Sequence, residues 1–277
     1  LQKYPVPAGT TVPAGGFLTV MCSGRNTVNG GEIHTNFNLK QTQGERFIIT
    51  NPTLNIIDSV KFIYMTKEDH SVGRSTDGAL DWKLFTTPTP NSSNVGAVNF
   101  YEPTPVMSVA PGFYPGAQTV ALSCINPAAT IRYTLDGSTP TGASTIYTAP
   151  LNISTTTVVR AQAFGTNEPS FVSTNSYFIN DTHPVCVVSV CSNDIYDLIA
   201  NGNQGGWGSD GNFQGSFELF EEDGTFIDEG DGDFNKHGND SWAYPQRGFD
   251  FIMRDQFGYN DDIDHQIFPE KSRTDFQ

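Results

Sequence analysis

The sequence predicts a mainly β protein that contains more than one domain. Its 277 residues include 27 glycines and 17 prolines, and only 16% of them are charged, so turn formers are common and charged helix formers scarce. Short segments of alternating apolar and polar residues recur between the turn residues, which is typical of strands. The length suffices for two or three domains. No apolar run approaches the roughly 18 residues that span a membrane, so we expect no transmembrane segment.

The clearest strand lies in the middle of the chain. Residues 131–135 alternate apolar with polar side chains, the period of a half-buried strand. Asp136 and Gly137 follow directly and form a favourable pair for a tight turn, since both tolerate positive φ. Further strands are predicted at 145–147 and 155–164. The middle of the chain is therefore expected to be a compact all-β module.

The first hundred residues predict a β-sandwich. Strands are expected at 17–22, 37–39, 45–50 and 56–62, separated by Gly, Asn and Pro. The loop that follows holds Arg74 and Asp77. We expect these side chains to satisfy backbone groups or each other, because no third group completes a nucleophile and base.

A series of short motifs runs through this region, namely Phe37-Asn38-Leu39, Gly44-Glu45, Ile57-Asp58-Ser59-Val60, Ser71, Gly73-Arg74, Asp77-Gly78, Trp82 and Pro88-Thr89-Pro90. With these motifs the region resembles the lamin-tail domain over about residues 5–94. The resemblance implies an immunoglobulin-like sandwich whose opening strands lie upstream of Leu1. Asn91 stands where the family pattern has Gly.

The middle of the chain contains five motifs: Gly112-Phe113-Tyr114, Thr119-Val120-Ala121-Leu122-Ser123, Ala129 through Pro140, Tyr147-Thr148-Ala149-Pro150-Leu151 and Thr157-Val158-Val159-Arg160-Ala161. With them it resembles the chitobiase/β-hexosaminidase C-terminal domain almost from end to end. The resemblance implies a second small immunoglobulin-like sandwich, which in glycosidases is an accessory module. Asp136 is accordingly interpreted as a turn residue and not as a glycosidase acid.

The last third predicts strands at 184–190, 215–220 and 248–254, with a helical turn at 194–199. Its motifs are Pro184-Val185 through Val190, Phe217-Glu218-Leu219-Phe220, Gly224, His237-Gly238, Ser241, Pro245-Gln246, Arg254-Asp255, Phe257-Gly258, Phe268-Pro269 and Lys271. With these motifs it resembles the beginning of a CotH-kinase domain, although Arg247 replaces the usual Lys. The resemblance implies a kinase-like active site beyond Gln277, so no catalytic residue is assigned here.

The predicted fold class is thus mainly β: two consecutive immunoglobulin-like β-sandwiches followed by an incomplete α+β, CotH-like segment. The predicted domains are residues 1–100, with the N-terminal strands missing, 101–180, and 181–277, which is truncated. The chain begins and ends abruptly, so we expect it to be a segment of a larger protein.

Negative charge is concentrated in the last third of the chain. Residues 1–180 carry ten basic and ten acidic side chains, whereas residues 181–277 carry five basic and twenty acidic ones. An acidic surface repels phosphate, which argues against a nucleic-acid partner. The acidic run departs from an EF-hand at its sixth and twelfth positions, Lys236 and Trp242. An irregular calcium site formed by Asp228, Asp231, Asp233 and Asp240 is the main metal hypothesis, and Asp261, Asp262 and Asp264 form a second candidate cluster. No other cofactor is expected.

The four cysteines show no Cys-x-x-Cys spacing, and a metal site formed by them is not expected. Cys186 and Cys191 flank a strand and are expected on its opposite faces, too far apart to bridge. All four, including Cys22 and Cys124, are predicted to be small buried hydrophobic residues.

Together the resemblances imply a secreted or cell-surface bacterial multidomain protein of Bacteroidota type, exported by the type IX system. The expected role is structural, adhesive or docking, with other surface or secretion-machinery proteins as partners. One alternative is the non-catalytic part of a CotH-type protein kinase. A second is a carbohydrate-binding accessory module, with a glycan as partner and Trp207 as a candidate contact.

Overall fold

The computed structural model describes residues 3–41, 44–61, 65–193, 213–237, 248–267 and 270–276. Within these ranges every regular element is a strand, which confirms the mainly β fold class. The helical turn predicted at 194–199 lies outside the described residues. The chain divides into two compact units, Leu1–Asn99 and Phe100–Gln277.

The described strands of the first unit form three small sheets. One has the order β1-β3-β2, in which β1 and β3 are parallel, and the others pair β4 with β5 and β6 with β7. Its buried apolar residues are Ile33, Leu84 and Phe85. The strands are β1 (Val20–Met21), β2 (Thr27–Asn29), β3 (Glu32–His34), β4 (Arg46–Thr50), β5 (Ile56–Lys61), β6 (Ser71–Arg74) and β7 (Trp82–Phe85).

The sequence located part of this unit correctly. Strands β4 and β5 confirm the predictions at 45–50 and 56–62. Of the strand predicted at 17–22, only the two residues of β1 are in a strand. The strand predicted at 37–39 is wrong, because only Asn38 pairs there, in an isolated bridge with Ser23. Strands β2 and β3 were missed because their three-residue length is too short for an alternating pattern.

The second unit begins with a sandwich. A five-stranded sheet has the order β13-β12-β15-β16-β9, and the short pairs β8–β11 and β10–β14 lie across the core from it. The strands are β8 (Val106–Met107), β9 (Gly112–Tyr114), β10 (Gln118–Val120), β11 (Leu122–Ser123), β12 (Thr130–Thr134), β13 (Thr145–Ile146), β14 (Leu151–Ile153), β15 (Thr157–Phe164) and β16 (Ser173–Ile179).

The core of this sandwich is made by alternating side chains of the two layers. Val120, Leu151 and Ile153 from the short pairs meet Val159 and Tyr177 from the large sheet. Strands β12, β13 and β15 confirm the three strands predicted for the middle of the chain.

A four-stranded antiparallel sheet of order β17-β18-β19-β20 follows, and a short pair of β21 with β22 completes the unit. The predicted strands near 184–190, 215–220 and 248–254 are confirmed as β17, β18 and β20. Strand β19, the longest of the described strands, was not predicted. The strands are β17 (Val187–Ser192), β18 (Phe213–Phe220), β19 (Phe226–Lys236), β20 (Phe249–Met253), β21 (Ile263–Asp264) and β22 (Asp275–Phe276).

Candidate functional site

The outer face of the five-stranded sheet is covered by the four-stranded sheet. In β15 and β16, the side chains that alternate with the core residues point away from the sandwich core, where a free module would meet water. Here they contact β17 and β18 instead, so the second unit has three β layers. We call this contact the polar interface; it comprises Arg160, Thr174, Ser176, Ser189, Ser216 and Glu218.

Arg160 is the centre of the polar interface. It is only 3% exposed although it carries a permanent charge. Its Nε donates to Thr174 Oγ1 at 3.2 Å, and its Nη2 donates to Ser216 Oγ at 3.2 Å. Ser216 Oγ in turn donates to Asp231 Oδ1 at 2.6 Å. The guanidinium therefore links strands of both sheets, which compensates for its burial.

Arg160 also fixes the turn that follows β12. Its Nη1 donates to the Gly137 carbonyl at 3.2 Å and to Thr139 Oγ1 at 2.9 Å. Gly137 has φ of +80°, which suits glycine. Asp136 Oδ1 accepts from the Ser138 hydroxyl and N–H, and these bonds, the hydroxyl first, lower the pKa of Asp136. Asp136 is thus a turn residue, as predicted.

Glu218 is the most deeply buried carboxyl group of the interface, with 1% exposure. The Ser176 N–H donates to its Oε1 at 3.0 Å, and the Ser176 hydroxyl donates to its Oε2. Ser176 Oγ also lies 2.6 Å from Ser189 Oγ. Loss of hydration raises the pKa of Glu218 to about 8, so the carboxyl group holds a proton at neutral pH.

Aromatic rings close one end of the same interface. Phe113 and Phe178 stack with centroids 4.4 Å apart, and both meet the fully buried Phe220 edge-on, at 5.9 and 5.3 Å. These rings come from β9, β16 and β18, so the contact between the sheets combines an apolar end with a hydrogen-bonded centre. The sequence indicated the aromatic strands but not that they meet.

The candidate calcium ligands lie on two sides of β19. Asp228 is hydrogen-bonded to Asn260 on one face of the strand, whereas Asp231 and Asp233 lie on the opposite face. Arg254 Nε donates to Asp233 Oδ2, and the buried Asp233 Oδ1 has no partner among the described residues. Within the described residues, no three His, Cys, Asp or Glu side chains are arranged to hold a metal ion. Asp240 lies outside those residues, so the calcium site stays a prediction.

The cysteines differ from their prediction in burial. All four are free thiols, and Cys191 is buried, but Cys22 and Cys124 are half-buried and Cys186 is exposed. The prediction of four buried residues is wrong for Cys186 because it precedes β17 and lies outside the sheet. Its Sγ donates to Glu221 at 3.4 Å.

Arg74 and Asp77 satisfy backbone groups, as expected. Arg74 donates to the Ala79 carbonyl at 2.7 Å and pairs with both oxygens of Asp58 at 2.9 Å. Asp77 accepts from the Asn94 N–H at 3.0 Å, the leading cause of its lowered pKa. Trp207, the candidate glycan contact, lies outside the described residues.

The three β layers define an immunoglobulin-like module joined to a further sheet. Residues 109–174 match the family model of the chitobiase/beta-hexosaminidase C-terminal domain, which confirms the resemblance of the middle of the chain. Comparisons with curated proteins and with solved structures gave no match. The lamin-tail and CotH resemblances stay predictions. No described helix is long and apolar enough to cross a membrane.

Proposed function

We propose that this chain is a structural and docking segment of a multidomain protein, in which the chitobiase-like module anchors the sheet that follows it. The observation that carries the proposal is the polar interface. A spacer that acted as an isolated module would have a solvated outer face on its sheet, whereas here Arg160 and Glu218 are buried against the next layer. The module is therefore a scaffold for the sheet of residues 187–253.

The proposal predicts one cooperative unit, which hydrogen exchange of the full chain measures strand by strand. We expect peptides from β16 and β18 to open with the same free energy. Ser216→Val, which removes the hydroxyl at the interface, should lower that free energy for both strands equally. Ser123→Val, at an exposed position of β11, is the control. Loss of protection in β18 alone would contradict a shared unit.

We further propose that the segment works at the outer surface of a bacterium, after export through the type IX route. The resemblances to lamin-tail and CotH domains support this location, as does the acidic last third, which suits a solvated exterior. An epitope-tagged full-length protein should be removed from intact cells by added protease. Resistance of the tag until the cells are lysed would contradict the proposal.

The CotH-kinase resemblance favours a second candidate, the non-catalytic part of a protein kinase. On this alternative the catalytic and metal-binding acids follow Gln277, and the described sheet supports their domain. Phosphate transfer from ATP by the longer protein, lost when those downstream acids are replaced, would favour the kinase over a purely structural role.

A further inference from the structure

A groove of about 510 Å³ crosses the surface of the first unit, on the loop that carries Arg74 and Asp77. It is lined by residues 15–19, by the loop of Arg74 and Asp77 with Trp82 of β7, and by residues between 89 and 94. Most of its lining residues are Gly, Ser, Thr and Asn, and the aromatic residues Phe17 and Trp82 lie among them. Its volume is within the range of small-ligand sites.

The aromatic side chains of the groove are not fully buried in the core of the first unit. Phe17 is 43% exposed, and the neighbouring Leu18 is 38% exposed. The guanidinium carbon of Arg74 lies 5.1 Å from the centre of the Trp82 ring, which covers that ring in part. Exposed rings beside polar groups can stack on a ligand that has both an apolar face and hydroxyl groups.

Free hydrogen-bonding groups accompany the rings. Neither the indole N–H of Trp82 nor the Nδ2 group of Asn91 has a partner among the described residues. Asn91 uses only its Oδ1, which accepts from Thr19 at 2.7 Å. Asp77 is exposed, and its lowered pKa keeps it an ionised acceptor. The groove thus offers two donors and one strong acceptor to a bound molecule.

The charge of the groove disfavours an anionic ligand. Asp58 neutralises Arg74 through two hydrogen bonds, so the one uncompensated charge among the lining residues described is the carboxylate of Asp77. An anionic ligand would be repelled, and an entirely apolar one would leave the polar groups unpaired. We propose that this groove is a binding site for a neutral sugar of disaccharide size. The site lies in the Leu1–Asn99 unit and does not depend on the structural role proposed above.

The test uses the full chain and saturation-transfer NMR, with cellobiose and lactose as neutral probes and a chondroitin disaccharide as the acidic probe. We expect at least one neutral probe to receive saturation, and the acidic probe to bind about tenfold more weakly. Asp77→Asn should reduce the difference in affinity between the neutral and the acidic probes. Absence of saturation for both neutral probes, or equal binding of the acidic one, would overturn the proposal.

Two variants locate the binding to the groove. Phe17→Ala should weaken the neutral probe about tenfold through loss of the stacking ring. Leu80→Ala, which trims a side chain that is 90% exposed and outside the groove, should leave binding unchanged. Thermal unfolding monitored by circular dichroism confirms that both variants fold. Unchanged binding by a folded Phe17→Ala variant would overturn the proposal.

Discussion

Ser176 and Glu218 join two sheets of the second unit. The Ser176 N–H donates to Glu218 Oε1 at 3.0 Å, and its hydroxyl donates to Oε2. No Lys, Arg or His among the described residues forms an ion pair with Glu218, because Arg160 donates to other groups. The buried carboxyl group is therefore stable in its protonated form.

Stability should fall as pH rises from about 4.5 to about 8, because in that window the folded protein keeps a proton on Glu218 that the unfolded chain has released. The expected loss from this one group is about 1.4 kcal/mol per pH unit. Burial also raises the pKa of Glu229, which lies opposite Glu218 in β19, and that of Asp231, so both groups act in the same direction. Urea unfolding at several pH values measures the slope.

Glu218→Gln is the control for that slope. The amide keeps an oxygen for the Ser176 N–H and has no titrating proton, so the variant should lose the Glu218 share of the pH dependence. Glu229 and Asp231 keep their carboxyl groups in this variant, so the difference between the two slopes reports the loss of the Glu218 carboxyl group. Equal slopes for the variant and the parent chain would show that Glu218 does not hold the proton.

Arg160→Met should destabilise the second unit by about 2 to 4 kcal/mol, because Gly137, Thr139, Thr174 and Ser216 each lose a donor. Arg160→Lys should recover only part of this, since an ammonium group lacks the planar fork. The matched control is Arg132→Met, in the neighbouring strand. Denaturant unfolding of the full chain measures all three, and equal losses for Arg160→Met and Arg132→Met would contradict the central role of Arg160.

Gly232→Ala should cost about 1 to 3 kcal/mol of stability. A Cβ atom at Gly232 would lie 2.2 Å from the carbonyl oxygen of Ile252 in β20. The backbone of β20 would have to shift, which lowers the stability of the sheet. Gly142→Ala is the control, because nothing lies within 4 Å of the added atom. Equal melting temperatures of the two variants would show that β19 and β20 are not packed this closely.

The calcium hypothesis predicts a higher melting temperature in millimolar calcium than in chelator, because a ligand that binds only the folded state stabilises it. The unpartnered Asp233 Oδ1 is an available ligand atom. Asp233→Asn should reduce the shift, whereas Asp223→Asn, in the exposed turn before β19, should not. Identical transitions with calcium and with chelator would contradict the hypothesis.

The strand pattern of this protein could be predicted where side chains alternate clearly. β12 and β15 follow that rule, as does β18. β19 does not, because its Asp and Gly residues are typical of turns and calcium loops. Its glycines are explained by close contacts, since a Cβ at Gly230 would lie 1.8 Å from Met253 Cε. Such contacts come from other strands and leave no local signal in the sequence.

The polar interface could not be predicted from the sequence, for a related reason. Arg160 and Glu218 each occupy the polar positions of an alternating strand, which normally face water. Nothing in either strand alone indicates that the two polar faces pack together. The groove in the first unit could be found only in part, since the Arg74–Gly78 loop was noted but its approach to Phe17 depends on tertiary packing.

A double-mutant cycle of Ser176→Ala and Glu218→Leu in the full chain tests most directly whether the chitobiase-like module anchors the following sheet. The two residues lie on different sheets, so any coupling between them must cross the interface. We expect a coupling free energy of about 1 to 3 kcal/mol in urea unfolding. Additive effects, within about 0.5 kcal/mol, would contradict an anchoring interface.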